Sequence, residues 1–311
     1  MTPAGKQSRA GNRTTAVRWA RILRTLGNRV TISEADDGKG ADLMVAVHAW
    51  RSAASIRAFS DACPNRPLIV LLAGTDIYGF QHSHPEETLE SMERAPVLVG
   101  LHDLVDRSIP QRFADKLHII YQSALPLSCP RAPSKRWVEI CIVGHLRDEK
   151  DPLRAAYAAR DLPADSRIRI VLIGKAYDAG WERAARQEMA DNPRFVWKGE
   201  VTGAAVRRQF ARSHAMVISS VMEGGANVVS EAVVADVPVI ASHIDGNVGL
   251  LGAQYDGYFP AEDTAALTAL LDRAESETGF LDRLRTQGRA RRPLFTPERE
   301  HEAWRRLLAT L

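Results

Sequence analysis

Short, continuous apolar runs alternate with longer segments of helical periodicity along nearly the whole chain. A strand inside a parallel sheet is covered on both faces, so its sequence is continuously apolar and does not alternate with polar residues. Strands separated by helices indicate an α/β fold with mostly parallel strands. The strand-like runs are residues 43–47, 68–73, 97–101, 117–121, 138–143, 168–173, 194–197, 215–219 and 237–241.

The length of the chain and one proline-rich segment predict two domains. A chain of 311 residues exceeds what one hydrophobic core usually organises. Residues 125–133 read LPLSCPRAP, and proline interrupts both helices and central strands because it lacks the backbone donor. We therefore expect a Rossmann-like N-terminal domain at 1–130, a second at 131–296, and an amphipathic helix at 297–311 with Trp304, Leu307 and Leu308 on one face.

Composition argues against several classes of function. The net charge is +3, basic residues are spread along the chain and aromatic residues make up only 6%, so we expect no nucleic-acid partner. No apolar stretch is long enough to span a bilayer, and residues 1–13 are too polar for a secretory signal, which predicts a cytoplasmic protein without a membrane partner. The widely spaced Cys63, Cys129 and Cys141 are expected to be buried thiols.

The segment 216–241 reads strand, glycine-rich loop, helix, turn, strand. Glu223 follows the end of the strand, where α/β sheets place ligands, and Gly224 and Gly225 allow close approach of backbone to a ligand. Asn227 is a candidate N-cap, and Glu231 lies one turn further on the same helical face. The N-terminus of this helix suits a phosphate, and the carboxylates suit hydroxyls of a ribose and a sugar. The alternative is two solvated charges.

The string from Glu223 to Glu231, followed by VPVIAS at 237–242 and Gly246-Asn247, resembles the donor motif of GT-B glycosyltransferases. The resemblance covers the C-terminal half and implies two Rossmann-like domains that face each other across a cleft, with the last helix packed back on the N-terminal domain. By this resemblance Glu231 binds the ribose and Glu223 the transferred sugar. The donor site then also includes Gly224, Gly225, Ala226, Asn227 and Val228.

A basic loop follows the first strand of the C-terminal half, reading VGHLRDEK at 143–150. Lys150 matches the lysine of the GT-B family, whereas His145, next to Gly144, stands where many relatives carry arginine. Either Arg147 or His145 then provides the second phosphate contact, and arginine is favoured because its fork binds phosphate oxygens in pairs. The alternative is a solvated charge run. Without an Asp-x-Asp string or a metal-ligand cluster, we expect no metal and no cofactor, with Lys150, Arg147 and the helix terminus stabilising the leaving diphosphate.

Four strings in the N-terminal half follow strands or start a helix: GNRTTAVRWARIL at 11–23, HAWRS at 48–52, LAGTDIY at 72–78 and YQS at 121–123. In this order, and together with GHLRDEKDP at 144–152, they resemble the selenosugar synthases of selenoneine biosynthesis. The resemblance implies a reaction of selenophosphate with a UDP-sugar such as UDP-N-acetylglucosamine, both small-molecule substrates. It also implies a selenophosphate-forming enzyme and a selenoneine-forming enzyme as pathway neighbours.

A small anionic acceptor requires positive charge and backbone donors. Arg13 at a helix N-terminus, with Lys6 and Arg51 expected nearby, meets this requirement. In the alternative interpretation, His48 is a structural histidine and Thr75-Asp76 forms a turn. Other functions left open are a hydroxyl or lipid acceptor, a nucleotide-sugar epimerase or hydrolase, and a non-catalytic binding protein. The candidate acceptor residues are Gly11, Asn12, Arg13, His48, Arg51, Thr75 and Asp76.

Overall fold

The structure is a computed structural model that describes residues 1–8, 11–36 and 40–311. Within these residues the chain divides into two compact units. The first unit contains Met1–Ser123, Glu223–Asn227 and Thr296–Leu311. The second contains Ala124–Met222 and Val228–Phe295, so it begins just before the proline-rich segment.

The described part of the first unit contains a parallel sheet in the order β1-β2-β3-β4. The helix α1 (Gly11–Thr25) has a polar first turn, and its buried residues are Thr15, Ala16, Trp19, Ala20 and Leu23. The strands are β1 (Met44–Val47), β2 (Leu68–Leu71), β3 (Val97–Gly100) and β4 (Leu117–Ile119); the helices are α1 (Gly11–Thr25), α2 (Ala53–Ala62), α3 (Gln81–Ser83) and α4 (Pro85–Arg94), with a π-helical turn at Asp76–Phe80 and 3₁₀ turns at Val105–Ser108 and Gln111–Lys116.

The second unit has a larger parallel sheet, whose described strands run in the order β10-β9-β8-β5-β6-β7. The sequence pattern missed β10 because that strand is only two residues long. The strands are β5 (Val138–Val143), β6 (Ile168–Ile173), β7 (Phe195–Trp197), β8 (Ala215–Ile218), β9 (Val239–Ser242) and β10 (Tyr258–Phe259); the helices are α5 (Arg154–Arg160), α6 (Ala179–Asp191), α7 (Gly203–Arg212), α8 (Asn227–Val234), α9 (Asp245–Leu251), α10 (Thr264–Ser276) and α11 (Phe280–Arg291), with 3₁₀ turns at Asp148–Lys150 and Arg292–Phe295.

The inner strands of both sheets are buried on their two faces, as their continuous apolar sequences predict. Every residue of β2, β3, β8 and β9 is buried. The last helix, α12 (Pro297–Leu308), belongs to the first unit. There Trp304 packs edge-to-face on Trp19, with ring centroids 4.8 Å apart, while Leu307 is buried beside them.

Two other predictions have a mixed or limited outcome. All three cysteines are free thiols, but only Cys141 is buried as predicted; Cys63 is half-buried and Cys129 is exposed. The prediction of a buried Cys129 was wrong because the residue lies in the proline-rich segment, which has no helix or strand around it. No helix in the described ranges is long and apolar enough to cross a membrane.

Candidate functional site

The strand order of the second sheet reverses between β5 and β8, and ligands bind at such reversal points in open α/β sheets. The loops that follow these two neighbouring strands are joined by hydrogen bonds. Val221 N donates to Glu149 O at 3.0 Å, and the Ser219 hydroxyl donates to Asp151 O at 2.7 Å. The topology therefore brings the basic loop and the start of the glycine-rich loop, which the sequence predicted as donor segments, to one edge of the sheet.

The basic loop is also held by the loop that follows β6. Leu146 N donates to Lys175 O at 2.9 Å, and Tyr177 N donates to Leu146 O at 3.0 Å. Gly174 permits this contact, since a Cβ there would lie 1.8 Å from the carbonyl oxygen of Gly144. Gly174 was not predicted as a site residue, although a glycine directly after a strand is an available signal.

His145 is a neutral hydrogen-bonding group in this loop. Its Nδ1 accepts from Lys175 N at 3.2 Å, which assigns the proton of the neutral ring to Nε2. Burial lowers the pKa of His145; Glu200 opposes this effect, and the positive charge of Arg147 adds to it. A neutral His145 can donate a hydrogen bond from Nε2 but adds no charge at pH 7.

Arg147 and Lys150 are two cations on one short turn. Lys150 N donates to Arg147 O at 3.0 Å, and the turn closes at Asp151, whose φ of 42° is left-handed. The Asp151 carboxylate accepts from Arg154 Nε at 2.7 Å, which fixes the end of the turn. The buried Arg147 Nε has no hydrogen-bond partner within the described residues and lies 3.7 Å from a carboxylate oxygen of Glu149. This turn is suited to oxyanion binding.

The glycines of Glu223–Asn227 approach protein backbone. A Cβ on Gly224 would lie 2.4 Å from Gly74 N, and one on Gly74 would lie 2.3 Å from Gly224 N. Gly225 has a φ of 124°, and a Cβ there would lie 2.5 Å from the Cβ of Leu101. Both glycines pack against the loops that follow β2 and β3. Their approach to a ligand stays a prediction.

Arg18 is a site residue that the sequence analysis did not single out. It donates to Asn227 Oδ1 at 2.6 Å and to Ser123 O at 3.0 Å, and its Nε lies 3.3 Å from Glu300 Oε1. Glu300 is buried and also accepts from Ser123 N at 2.9 Å. The helix α8 begins at Asn227, and the side-chain oxygen of this residue accepts the hydrogen bond from Arg18.

The helix α8 buries one side and leaves the other accessible. Glu231 and Val228 are half-buried, whereas Val229 and Ser230 are buried. In the preceding loop, Glu223 and Ala226 are buried, at 8% and 7% exposure. Glu231 stands one turn after Asn227 on the accessible side, as the spacing predicts.

Asp76 organises the loops that follow β1 and β2. Its buried carboxylate accepts hydrogen bonds from four backbone amides, with N–O distances between 2.8 and 3.1 Å. A carboxylate has about four acceptor positions, and these amides occupy them. Asp76 therefore holds the loops together, which is the structural alternative considered for Thr75-Asp76. The four amides belong to Ala49, Ala73, Gly74 and Ile77.

His48 joins the same cluster in a left-handed conformation, with a φ of 78°. Its ring is buried, Nε2 lies 2.9 Å from Thr75 Oγ1, and Nδ1 accepts from Arg51 N at 3.2 Å. Backbone strain of this kind is held by surrounding structure and is common near functional sites. The structure thus brings His48, Thr75, Asp76 and the backbone of Arg51 together.

The remaining predicted acceptor residues lie elsewhere in the first unit. Gly11, Asn12 and Arg13 form the first turn of α1, and a Cβ on Gly11 would lie 3.9 Å from Asn227 Nδ2. The Arg51 guanidinium lies 5.9 Å from the centroid of Phe80. Lys6 N donates to Glu34 Oε1 at 2.9 Å. The start of α1 therefore lies beside the first residue of α8.

The sequence profile of the family "Glycosyl transferases group 1" matches residues 132–291, just over half of the chain. The chain belongs to the group 1 glycosyltransferases. A search of the curated proteins finds no match to it. Among the residues that the structure describes, no group of three or more His, Cys, Asp or Glu side chains is arranged to hold a metal ion.

Similar solved structures show that this glycosyltransferase has the GT-B fold. Anabaena Alr3699/HepE, in complex with UDP and glucose, shares 13% identity at a TM-score of 0.73, over 98% of this chain and 84% of that one. Sucrose-phosphate synthase from Thermosynechococcus elongatus shares 16% identity at a TM-score of 0.72, over 100% and 83%. S. aureus TarM, in complex with UDP and other ligands, shares 12% identity at 0.70, over 87% and 57%.

Proposed function

We propose that this group 1 glycosyltransferase transfers the sugar of a UDP-sugar, UDP-N-acetylglucosamine in the first instance, to selenophosphate. The selenium atom forms a bond to the anomeric carbon, the bond from that carbon to the β-phosphate oxygen breaks, and UDP leaves with the electron pair. The immediate product carries the phosphoryl group on selenium. Attack of water on phosphorus then breaks the selenium–phosphorus bond and gives the 1-seleno sugar and inorganic phosphate. Binding of a UDP-sugar is supported by one observation: two cations, Arg147 and Lys150, lie on one turn at the reversal point of the second sheet.

In this proposal the second unit provides most contacts to the nucleotide. Glu231 accepts hydrogen bonds from the ribose hydroxyls, and His145 offers its Nε2–H to the phosphates. Gly144 contributes as the close-approach residue of this loop, since its own N–H donates to Ile173 O at 2.9 Å. A neutral His145 cannot compensate phosphate charge, so Arg147 provides the second charged contact beside Lys150. Glu223, in the loop grouped with the first unit, binds hydroxyls of the transferred sugar. A related structure, HepE, holds UDP and glucose, which is consistent with a UDP-sugar donor.

The departing diphosphate gains negative charge as the glycosidic bond breaks. Arg147 and Lys150 stabilise this charge electrostatically, and fixed cations need no reorganisation during the reaction. We therefore expect full activity in excess chelator. Activity that chelator abolishes and a divalent cation restores contradicts this part of the proposal.

The acceptor half of the proposal places the selenophosphate anion at the first turn of α1. Gly11 and Asn12 offer backbone N–H groups there, and Arg13 adds a charge. Selenophosphate is a strong nucleophile, so positioning contributes more than a dedicated base. His48, Thr75 and Asp76 shape the adjoining loops. Enzymes that make selenophosphate and that convert the seleno sugar to selenoneine are the proposed pathway neighbours.

Mass spectrometry of the products tests this function directly. The protein is incubated with UDP-N-acetylglucosamine, or with UDP-glucose, and enzymatically prepared selenophosphate. We expect UDP and a 1-seleno sugar with the selenium isotope pattern. A glycoside formed only with hydroxyl acceptors, an altered nucleotide sugar, or no product with any UDP-sugar each overturns the selenium chemistry. The donor site is judged separately, by UDP binding.

Glu231→Ala tests the donor site on its own. Loss of hydrogen bonds from a charged acceptor to ribose costs about 1.5 to 3 kcal/mol each, so UDP affinity should fall at least tenfold by calorimetry. Glu223→Ala should instead lower turnover more than UDP affinity. The matched control is Glu182→Ala, a half-buried glutamate on α6 that pairs with Arg186. Unchanged UDP affinity in Glu231→Ala removes Glu231 from the site.

A further inference from the structure

A cavity of about 450 Å³ lies in the second unit, away from the proposed donor residues. One wall is the proline-rich segment, including Cys129 and Arg131; another is the turn after α8, including Asp236. Arg285 of α11 and Arg292, just after it, complete the polar lining. Because α8 runs from the proposed site to this turn, the cavity lies by the opposite end of that helix.

The charge of Arg131 is not compensated by a carboxylate contact. Its Nη1 donates to the backbone oxygen of Asp236 at 2.7 Å, and its Nη2 donates to that of Ser213. Both partners are neutral. The Nε of Arg131 is buried and has no hydrogen-bond partner among the described residues.

Arg285 adds a second incompletely satisfied guanidinium. Its Nη1 donates to Asp282 at 2.6 Å, whose side chain is 72% exposed, while its Nε is buried without a hydrogen-bond partner in the described chain. Burial lowers the pKa of Arg131, and the charge of Arg285 lowers it further. The two guanidinium groups are therefore close enough to repel each other.

Asp236 offsets only part of the positive charge of this lining. Its carboxylate accepts two hydrogen bonds from Arg289, each 2.6 Å long, and one of its oxygens lies 3.9 Å from Arg285 Nε. The lining itself carries three guanidinium groups and one carboxylate, an excess of two positive charges. A phosphate monoester or inorganic phosphate carries nearly two negative charges at neutral pH, and arginine forks match its oxygens.

We propose that this cavity is a second anion site that binds a phosphate group between Arg131, Arg285 and Arg292. The bound phosphate accepts hydrogen bonds from the guanidinium groups that line the cavity and screens the repulsion between Arg131 and Arg285. It also links the proline-rich segment to the end of α11. The site is independent of the proposed selenium chemistry.

Alkylation of Cys129 reports on this cavity directly, because this thiol is exposed and lines it. The full-length protein is treated with iodoacetamide, and labelling of each cysteine is followed by peptide mass spectrometry. We expect inorganic phosphate or glycerol phosphate to slow labelling of Cys129 at least threefold relative to chloride of equal ionic strength. The probe that protects Cys129 at the lower concentration shows whether the site prefers free phosphate or a phosphate monoester. Labelling of Cys63 should be unchanged.

Two variants and a matched control complete the test. Arg292→Gln removes an exposed guanidinium, and Arg285→Gln removes a half-buried one, so both should abolish the protection by phosphate. Arg183→Gln removes an exposed arginine of α6 that does not line the cavity and should keep the protection. The buried Cys141 labels quickly only if a variant unfolds. Protection that is absent in the natural protein, or that persists in both cavity variants, overturns the proposal.

Discussion

The loops after β1 and β2 and those after β5 and β8 occupy the same kind of sheet edge but are held in different ways. In the first unit, the side chain of Asp76 satisfies four backbone amides and fixes the loops. In the second unit, backbone groups and the Ser219 hydroxyl join the two loops. The turn in the loop after β5 carries Arg147 and Lys150. A polar residue after a strand thus indicates a ligand site only when it is not itself the group that holds the loop.

The largest expected effect is on the stability of Asp76→Ala. Removing the carboxylate leaves four backbone N–H groups without their acceptor. We therefore expect the free energy of unfolding to fall by at least about 4 kcal/mol. Asp61→Ala, an exposed aspartate paired with Arg94, should cost less than about 1 kcal/mol. Urea denaturation measures both. Equal losses contradict the assignment of Asp76 to loop structure.

Lys150→Ala should leave stability nearly unchanged and reduce turnover. A single group that stabilises developing negative charge contributes roughly 10²- to 10³-fold in kcat. Lys135→Ala, which removes an exposed lysine of the same unit, is the control and should have normal kinetics. If Lys150→Ala turns over normally, or fails mainly because it unfolds, the contrast between the two regions disappears.

Arg13→Ala tests whether the first unit binds the acceptor anion. If Arg13 binds the acceptor anion, its loss should cost about 1.5 to 3 kcal/mol, roughly ten- to a hundredfold in kcat/KM for selenophosphate. UDP affinity should stay within about twofold, because most proposed donor contacts lie in the second unit. The exposed Arg208, changed to Ala, is the control. Normal kinetics for Arg13→Ala assign the anion site elsewhere, with Arg51 as the next candidate.

The smallest expected effect concerns the pH dependence of stability and His145. Its pKa is lowered in the folded state, mainly by burial. The unfolded chain therefore binds the proton first, and the free energy of unfolding decreases as pH falls through about 6.5 and below. In His145→Gln this decrease should be shallower. His214, whose pKa burial also lowers, remains as an internal reference. If the natural protein and His145→Gln lose stability with falling pH in the same way, His145 does not contribute to this pH dependence.

Sequence patterns predicted the strands well because a parallel strand that is buried on both faces must be continuously apolar. They also indicated the segment from Glu223 to Glu231 as a candidate donor site, since glycine, asparagine and spaced carboxylates have strong local preferences. They could not reveal Arg18, because its role depends on Asn227, Ser123 and Glu300, which are distant in sequence. The exposure of Cys129 was missed for a similar reason, since burial is decided by which segments pack together.

The sequence by itself determined the alternation of strands and helices, the family, and the residue types available for chemistry. These follow from local periodicity and from short strings whose meaning does not depend on distant residues. The tertiary structure decided which groups have their hydrogen bonds satisfied: Asp76 by four amides and His145 by Lys175. It also decided that Gly224 lies against the backbone of Gly74. Satisfaction of polar groups depends on distances of a few ångströms between residues far apart in the chain, and only the folded arrangement fixes those distances.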